Sequence, residues 1–245
     1  MAFDGITIAA MVSELNKNLS GGRINKIAQP ESDELLITGK GANGQKRLLL
    51  SASASLPLIY FTGKNRISPL TAPNFCMLLR KHIGSARITA IRQPGLERVV
   101  EFELEHLNEL GDVCHKVLIM ELMGKHSNII FCDDNNMILD SIKHFSSHMS
   151  SVREVLPGRE YFIPQTQDKL DPLTVSEEDF INTVCRKPCN ISKALYSSLT
   201  GISPVVAEEV CFRASIDGSD AAQSLDKTAQ IHLYHTFCRL MDQVK

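Results

Sequence analysis

An acidic and a basic residue follow a turn signal near the middle of the chain. Glu97 and Arg98 come directly after Pro94 and Gly95. Proline fixes φ and glycine supplies a positive φ, so this pair predicts a type II turn between two strands. An arginine oriented by a neighbouring carboxylate can offer its guanidinium to a phosphate or a base edge. The alternative is an ordinary exposed ion pair, which contributes about 0 to 1 kcal/mol.

Charge is divided unevenly along a chain that is nearly neutral as a whole. The formal net charge is −2 over 245 residues, which excludes a uniformly basic nucleic-acid-binding protein. Residues 78–100 carry five Lys or Arg against one acidic residue, and residues 101–112 carry acidic residues with no Lys or Arg. One surface can therefore be cationic. We expect Arg80, Lys81, Arg92 and Lys125 to attract the phosphates of a nucleic-acid backbone.

A tight connection separates two predicted helices in the C-terminal part of the chain. One helix is predicted over 191–199, and Ser203 followed by Pro204 opens the next over 205–214. The connection matches the helix-hairpin-helix pattern, in which hairpin N–H groups and the second helix N-terminus face a phosphate. We therefore expect Gly201 and Ser203 to contact a nucleic-acid backbone. An ordinary αα-hairpin is the alternative.

The pattern of apolar and turn residues predicts an α+β protein of two domains. Asp4 caps a first helix, and the rest of residues 1–165 has mostly strand-like periodicity. We expect this part to be an antiparallel β-sandwich with flanking helices. Residues 166–175 have the composition of a linker, and residues 176–245 predict an all-α domain.

Several motifs that could carry chemistry are incomplete. Residues 39–44 match G-x-G-x-x-G, but a strand follows where a dinucleotide site needs a helix, so we expect a hairpin. His144 and His148 lack a third ligand, and Cys185 and Cys189 do not have zinc-knuckle spacing. We expect no metal, no cofactor and no small-molecule substrate.

The cysteines and the N-terminus indicate a cellular compartment. Seven scattered cysteines, an odd number, favour reduced thiols over a disulfide framework. The sequence has no signal-peptide pattern and no apolar run long enough to span a membrane. We expect a cytoplasmic protein that does not bind a membrane.

Six segments, together with the hairpin connection, carry a family resemblance. They are 1–5 (Met-Ala-Phe-Asp-Gly), 21–24 (Gly-Gly-Arg-Ile), 75–83 (Phe-Cys-Met-Leu-Leu-Arg-Lys-His-Ile), 95–98 (Gly-Leu-Glu-Arg), 121–129 (Glu-Leu-Met-Gly-Lys-His-Ser-Asn-Ile) and 156–158 (Leu-Pro-Gly). In these segments the chain resembles the N-terminal part of the NFACT family of ribosome quality control factors, which has the older name of fibronectin-binding proteins.

The resemblance implies binding of tRNA, in particular alanyl-tRNA, and of a large ribosomal subunit that still carries peptidyl-tRNA after a stall. It implies untemplated alanine tailing of the stalled nascent chain, with contacts to rRNA. Because the ribosome itself would transfer the peptide, the chain is not expected to be an enzyme. The family continues into a coiled coil and a further domain, so we expect this chain to be a fragment.

The resemblance also assigns site residues. Family members carry an Asp-Arg pair at the position of Glu97 and Arg98 and an acidic residue that matches Asp4, which implies that these three residues bind tRNA. Glutamate in place of aspartate puts the carboxylate of Glu97 one methylene farther from the backbone, so the geometry of the pair differs from that of the family.

Two other functions follow from the same resemblance. The family's N-terminal domain is similar to that of formamidopyrimidine-type DNA glycosylases, which implies a glycosylase-like fold and offers a DNA repair protein as an alternative. Those enzymes use an N-terminal proline amine as nucleophile, and this chain has Ala2 and Phe3 there, so we expect the fold without the activity. The older name offers a fibronectin- or fibrinogen-binding adhesin, against which the lack of a secretion signal argues.

Overall fold

A computed structural model describes residues 3–149, 152–164 and 168–244, which divide into two compact units. The first unit consists mainly of Met11–Gln93 and Val99–Pro164. The second unit consists of the chain after Pro164 together with Asp4–Ala10 and Pro94–Arg98. Two short segments from the first half of the sequence therefore belong to the second unit. The predicted boundary near residue 165 divides the chain at one point and leaves these segments in the first domain.

Nine antiparallel strands form one sheet in the first unit. They are β1 (Arg23–Glu31), β2 (Glu34–Gly41), β3 (Gly44–Ser51), β4 (Leu58–Phe61), β5 (Arg87–Arg92), β6 (Val99–Leu107), β7 (Val113–Glu121), β8 (Asn128–Asp133) and β9 (Ile138–Ser141). Their order is β4-β3-β2-β1-β5-β6-β7-β8-β9. The prediction of a large antiparallel sheet with flanking helices is confirmed.

The sheet consists of two meanders, β1–β4 and β5–β9, that meet where β1 pairs with β5. The pairing there is short, with Arg23 opposite Arg87 and the Ile24 N–H donating to the Ala86 carbonyl over 2.9 Å. Side chains from both meanders line one small cavity of about 10 Å³. Apolar side chains of both meanders therefore face a common space, and the nine strands form one continuous sheet.

The glycine-rich segment at 39–44 is a hairpin loop. Strands β2 and β3 pair continuously as far as Gly41 opposite Gly44, which leaves Ala42 and Asn43 as the loop. Gly44 has a φ of 86°, a conformation that glycine adopts without steric cost. The prediction of a hairpin in place of a dinucleotide-binding loop is confirmed.

Helices flank the sheet and build the second unit. They are α1 (Gly5–Leu19), α2 (Asn74–Ile83), α3 (Glu177–Phe180), α4 (Ile191–Ser198), α5 (Pro204–Arg213) and α6 (Lys227–Asp242), with a π-helical turn at Ile181–Cys185. Side chains from α3 to α6 form the apolar core of the second unit, in which Leu96 is also buried. The predicted connection between two helices is present between α4 and α5.

The segment predicted as a linker is partly packed. Residues 166 and 167 lie outside the described part of the chain. The Leu170 N–H donates to the Ser198 carbonyl over 2.8 Å, and the Thr200 N–H donates to the Leu170 carbonyl over 3.0 Å. From residue 168 onward this segment is thus hydrogen-bonded to the end of α4.

All seven cysteines are unpaired, and four of them are buried. Burial raises the pKa of the Cys132 thiol to about 12 and those of Cys185 and Cys211 to about 11. These thiols stay neutral near pH 7 and act as small apolar side chains. In the described ranges, no helix is long and apolar enough to cross a membrane.

A buried ion pair connects strand β7 with the segment after β9. The side chain of Glu121 is fully buried and accepts hydrogen bonds from Arg153 at 2.5 Å and from the Tyr161 hydroxyl at 3.0 Å. The guanidinium of Arg153 also lies over the Tyr161 ring, 5.3 Å from its centre. Because both charges are removed from water, losing one would leave the other uncompensated.

We expect the Arg153→Met variant to lose about 3 to 5 kcal/mol of unfolding free energy, because Glu121 would remain as a buried, unpaired charge. Urea unfolding followed by circular dichroism measures this loss. The matched control is Arg159→Met, which breaks the more exposed pair with Glu154 (2.8 Å) and should cost less than about 1 kcal/mol. Equal losses in the two variants would contradict the assignment.

Candidate nucleic-acid interface

Three chain segments meet in the second unit at backbone distance. The Gly5 N–H donates to the Gly201 carbonyl over 2.8 Å. A Cβ at Gly201 would lie 2.1 Å from the Leu96 carbonyl oxygen, and a Cβ at Gly5 would lie 2.3 Å from the same oxygen. No side chain tolerates such distances, so both positions require glycine. We call this contact of Gly5, Leu96 and Gly201 the glycine junction.

The N-termini of two helices are joined beside the glycine junction. One carboxylate oxygen of Asp4 accepts from the Thr7 N–H at the start of α1 (2.8 Å), and the other accepts from the Ser203 hydroxyl (2.6 Å). The Ser203 oxygen in turn accepts from the Val206 N–H over 3.3 Å and so caps α5. Burial raises the pKa of Asp4, but the hydrogen bonds from Ser203 and Thr7 outweigh it and hold the pKa below its ordinary value.

The turn that carries Glu97 and Arg98 is shifted by one residue from the predicted position. The Glu97 N–H donates to the Pro94 carbonyl over 3.0 Å, and Gly95 has a φ of 53°. Pro94 is therefore the first residue of the turn and Gly95 the second, which corrects the predicted type II turn with proline second. The reason is the burial of Leu96 (2% exposed), which makes it the third turn residue. Glu97 and Arg98 follow, both half-buried.

The carboxylate of Glu97 lies among several charges. Burial raises its pKa, the positive charges of Arg98 and Lys169 lower it, and Asp171 raises it. The net pKa is above the ordinary value, so desolvation exceeds the attraction of the cations. Keeping this carboxylate ionised at neutral pH therefore has a desolvation cost that the neighbouring cations only partly offset.

Two lysines and Arg98 form a group of three cations with Lys169 at its centre. The Lys169 ammonium donates to the Tyr196 carbonyl over 3.0 Å, and the Lys187 ammonium donates to the Ser197 hydroxyl over 3.0 Å. Adjacent residues in the last turn of α4 therefore hold both groups. Burial lowers the pKa of Lys169, and the charges of Lys187 and Arg98 lower it further. We call Arg98, Lys169 and Lys187 the cation cluster.

Sequence reasoning missed Lys169. It lies in a polar stretch predicted as a linker, and a single lysine in such a stretch carries no periodicity from which a contact with α4 or with Arg98 could be inferred.

The hairpin between α4 and α5 leaves hydrogen-bond donors unused. Within the described part of the chain, the N–H groups of Gly201, Ile202 and Ser203 have no acceptor. By contrast, Asn190 caps the start of α4 and Ser203 caps the start of α5. Gly201 and Ser203 therefore offer backbone donors. The hydroxyl of Ser203 is already engaged with Asp4 and Val206.

The other predicted cations belong to the first unit. Arg80 donates from Nε to the Ile27 carbonyl over 2.8 Å, and Arg92 pairs with Glu103 at 2.9 Å. Lys81 and Lys125 are exposed.

The structure thus brings Asp4, Glu97, Arg98, Gly201 and Ser203 together in one unit and places these four cations in the other. Among the residues that the structure describes, no group of three His, Cys, Asp or Glu side chains is arranged to hold a metal ion.

We expect the Gly201→Ala variant to lose at least about 3 kcal/mol of unfolding free energy, because its Cβ would collide with the Leu96 carbonyl. The control is Gly21→Ala, since Gly21 has a similar φ of 76° and an added Cβ there meets no atom within 4 Å. That control isolates the cost of the backbone conformation, about 1 to 2 kcal/mol. Chemical denaturation of both variants gives the difference in unfolding free energy. Equal losses would contradict the steric role of the glycine junction.

We expect the Glu97→Gln variant to be more stable than the unchanged chain at neutral pH. An acid whose pKa is raised by folding binds its proton more tightly in the folded state, so stability falls as pH rises from about 4.5 through the raised pKa. The advantage of the variant should therefore shrink as pH falls through that window. Unfolding free energies measured from pH 4 to pH 8 provide the test, with the exposed Glu14→Gln variant as baseline. An advantage that is independent of pH would contradict the assignment.

Comparison with known proteins gives the family of the chain. The family model for the NFACT N-terminal and middle domains matches residues 4–245. The Rqc2 homolog RqcH of Bacillus subtilis is 41% identical over 219 residues, which is 88% of this chain and 38% of the relative. An archaeal Rqc2 homolog from Methanocaldococcus jannaschii is 30% identical over 86% of this chain and 31% of the relative.

Solved structures agree with the sequence comparison. The N-terminal part of the fibronectin/fibrinogen-binding protein from Streptococcus suis has a TM-score of 0.83 at 33% identity, covering 98% of this chain and 85% of that one. The fibrinogen-binding protein from Staphylococcus aureus has a TM-score of 0.82 at 30% identity, covering 100% of this chain and 83% of that one. The chain spans less than two fifths of the length of the curated relatives described above. By the match of the family model over nearly its whole length, the chain belongs to the NFACT family.

Proposed function

We propose that this chain binds tRNA as part of a ribosome quality control factor. The observation that carries the proposal is the cation cluster: Arg98 and Lys187 both act on Lys169 in a chain whose net charge is −2. Relatives named RqcH and, in mouse, ribosome quality control complex subunit NEMF support the ribosomal setting.

Electrostatics favours a phosphate as the ligand of the cation cluster. At Lys169 the repulsion from Lys187 and Arg98 exceeds the attraction of Glu97, and partial burial strengthens that repulsion because little water screens it. The C-terminal end of α4 compensates part of this charge, since a helix C-terminus carries partial negative charge. A phosphate would neutralise the remainder, and the planar guanidinium of Arg98 can bind two of its oxygens at once.

The hairpin supplies a second kind of phosphate contact. The unused N–H groups of Gly201 and Ser203 lie at the N-terminus of α5, where the helix dipole favours an anion. Such contacts bind the backbone of a nucleic acid independently of its sequence. In this proposal the hairpin fixes the position of the tRNA, and Arg98 holds it.

Asp4 acts as a positioning residue. Its carboxylate is occupied by Thr7 and Ser203, so it supports the hairpin and does not contact RNA through these oxygens. The other predicted cations contribute less specific attraction. Lys81 and Lys125 can meet phosphates directly, whereas Arg92 would first have to leave Glu103.

The reaction itself is assigned to the ribosome. In the proposal the chain presents alanyl-tRNA to a large ribosomal subunit that still carries peptidyl-tRNA, the subunit transfers the nascent peptide to alanine, and further contacts are made to rRNA. The chain then needs no catalytic group of its own. It accelerates peptide transfer only by positioning the aminoacyl-tRNA.

We expect the variants Arg98→Ala and Lys169→Ala each to weaken binding of alanyl-tRNA about tenfold. Each should also lower the slope of log affinity against log salt by about one, because one phosphate contact is lost. Fluorescence titration at several salt concentrations measures both quantities. The control is Arg213→Ala in the same unit, where the arginine is exposed and pairs with Glu209 at 2.6 Å, and we expect less than a twofold change there.

Thermal unfolding separates a binding role from a structural one. Arg98→Ala should leave the midpoint within about 2 °C, because a half-exposed charge contributes little to stability. A protein containing residues 1–245 with this substitution should also fail to support alanine tailing on stalled large subunits. Unchanged tRNA affinity, or a large fall in the midpoint with tailing retained, would overturn the proposal.

The names of the solved structures favour one second candidate. Both the Streptococcus suis and the Staphylococcus aureus proteins are named for binding fibrinogen, the former also for fibronectin. If this chain has that function, it should bind immobilised fibronectin saturably, and Arg98→Ala should leave that binding intact. Saturable fibronectin binding without measurable tRNA binding would replace the first proposal by this one.

A further inference from the structure

We infer that the outer face of strands β1, β2 and β3 is a second site, which binds the phosphate and base of a nucleotide unit. The site lies in the first unit, apart from the residues of the cation cluster. It is a cavity of about 310 Å³, a volume within the range of small-ligand sites. Neither the family match nor any relative assigns a ligand to it.

Strand register places two cations beside one hydroxyl. Lys26 of β1 is opposite Thr38 of β2, and Thr38 is opposite Arg47 of β3. Residues opposite each other across strands point to the same face, so Lys26 and Arg47 stand on either side of Thr38 on the face that lines the cavity. With strands about 4.8 Å apart, the two backbones that carry the cations are separated by about 10 Å. A phosphate over Thr38 can meet both cations.

The lining of the cavity has positive charge and unused polar groups. Among the described residues around it, three are cationic (Lys26, Arg47 and Arg66) and none is acidic. Arg66 pairs with the nearby Glu34 at 3.6 Å, so Lys26 and Arg47 provide the uncompensated charge. No hydrogen-bond partner within the described residues engages the side chains of Lys26, Thr38 or Gln45, which leaves these donors for a ligand.

An apolar row next to the cations can receive a base. Ala28, Leu36 and Leu49 are opposite one another on the three strands and pack together with Tyr60. Ala28 and Leu36 also line the cavity. An apolar wall beside a cationic row matches a nucleotide, which has an apolar base face next to a charged phosphate.

A covering segment distinguishes this face from an ordinary solvated sheet surface. Residues 62–68, which we call the strap, follow β4 and are attached to β3 through Arg47: the Thr62 N–H donates to the Arg47 carbonyl (2.9 Å), and Arg47 Nη1 donates to the Gly63 carbonyl (3.0 Å). Three strap residues line the cavity: Asn65, Arg66 and Ser68. The open face of an antiparallel sheet is normally left to water, whereas here it is enclosed on one side.

Amide chemical shifts of the isotopically labelled chain test the site. The probes are inorganic phosphate, adenosine 5′-monophosphate and single-stranded penta-adenylate. We expect shifts at Lys26, Thr38 and Arg47. Binding of phosphate and the mononucleotide supports a free nucleotide as the ligand, and binding of penta-adenylate alone supports the backbone of RNA. If no probe shifts these amides, or if the shifts lie elsewhere, the inference is wrong.

Matched variants keep the test independent of folding. Arg47→Gln and Lys26→Gln should each weaken the probe about tenfold. Within the described residues the side chain of Lys26 makes no hydrogen bond or ion pair. Its variant therefore tests the site without disturbing the bond from Arg47 to the strap. Lys46→Gln is the control, because Lys46 is adjacent to Arg47 on β3 and points to the opposite face, and a loss as large there would overturn the inference. Arg98→Ala should leave these shifts unchanged, which separates this site from the proposed tRNA contact.

Discussion

The second unit depends on one close backbone contact, the glycine junction. Gly5, Leu96 and Gly201 come from three distant parts of the sequence, and their backbones approach so closely that a single methyl group at either glycine would overlap the Leu96 carbonyl oxygen. The hydrogen bond from Gly5 to Gly201 and that from Ser203 to Asp4 fix the same three-way contact. Because Glu97 and Arg98 follow Leu96 directly, the burial of Leu96 decides where their charges lie.

Partial burial opposes the ionised forms of Glu97 and Lys169. Desolvation raises the pKa of Glu97, and burial with neighbouring cations lowers that of Lys169, so both ionised groups are less stable here than in water. Folding supplies the difference through the core that surrounds Leu96 and through the caps of α1 and α5. Perturbed ionisable groups of this kind are common at functional sites, and in the proposed function a phosphate would stabilise the charged form of Lys169.

The sequence was sufficient to predict the helices, the strands and the hairpin at 39–44, because these depend on periodicity and turn residues within one segment. It was not sufficient for the features that join separate segments. The turn register at Pro94 depends on the burial of Leu96, and the role of Lys169 depends on a contact with Tyr196, neither of which leaves a local pattern. The resemblance to a family supplied Asp4, Glu97 and Arg98, and only the structure shows that the Asp4 carboxylate caps a helix and accepts from Ser203.

In the proposed function, the glycine junction holds Arg98, with Lys169 and Lys187, where a tRNA backbone can reach all three. The most direct measurement is a structure of the protein with tRNA bound, solved by crystallography or electron cryo-microscopy. We expect the Arg98 guanidinium at about 2.7 to 2.9 Å from a phosphate oxygen, with both lysines on neighbouring phosphates. A tRNA bound on another surface, with these three side chains still exposed to solvent, would contradict it.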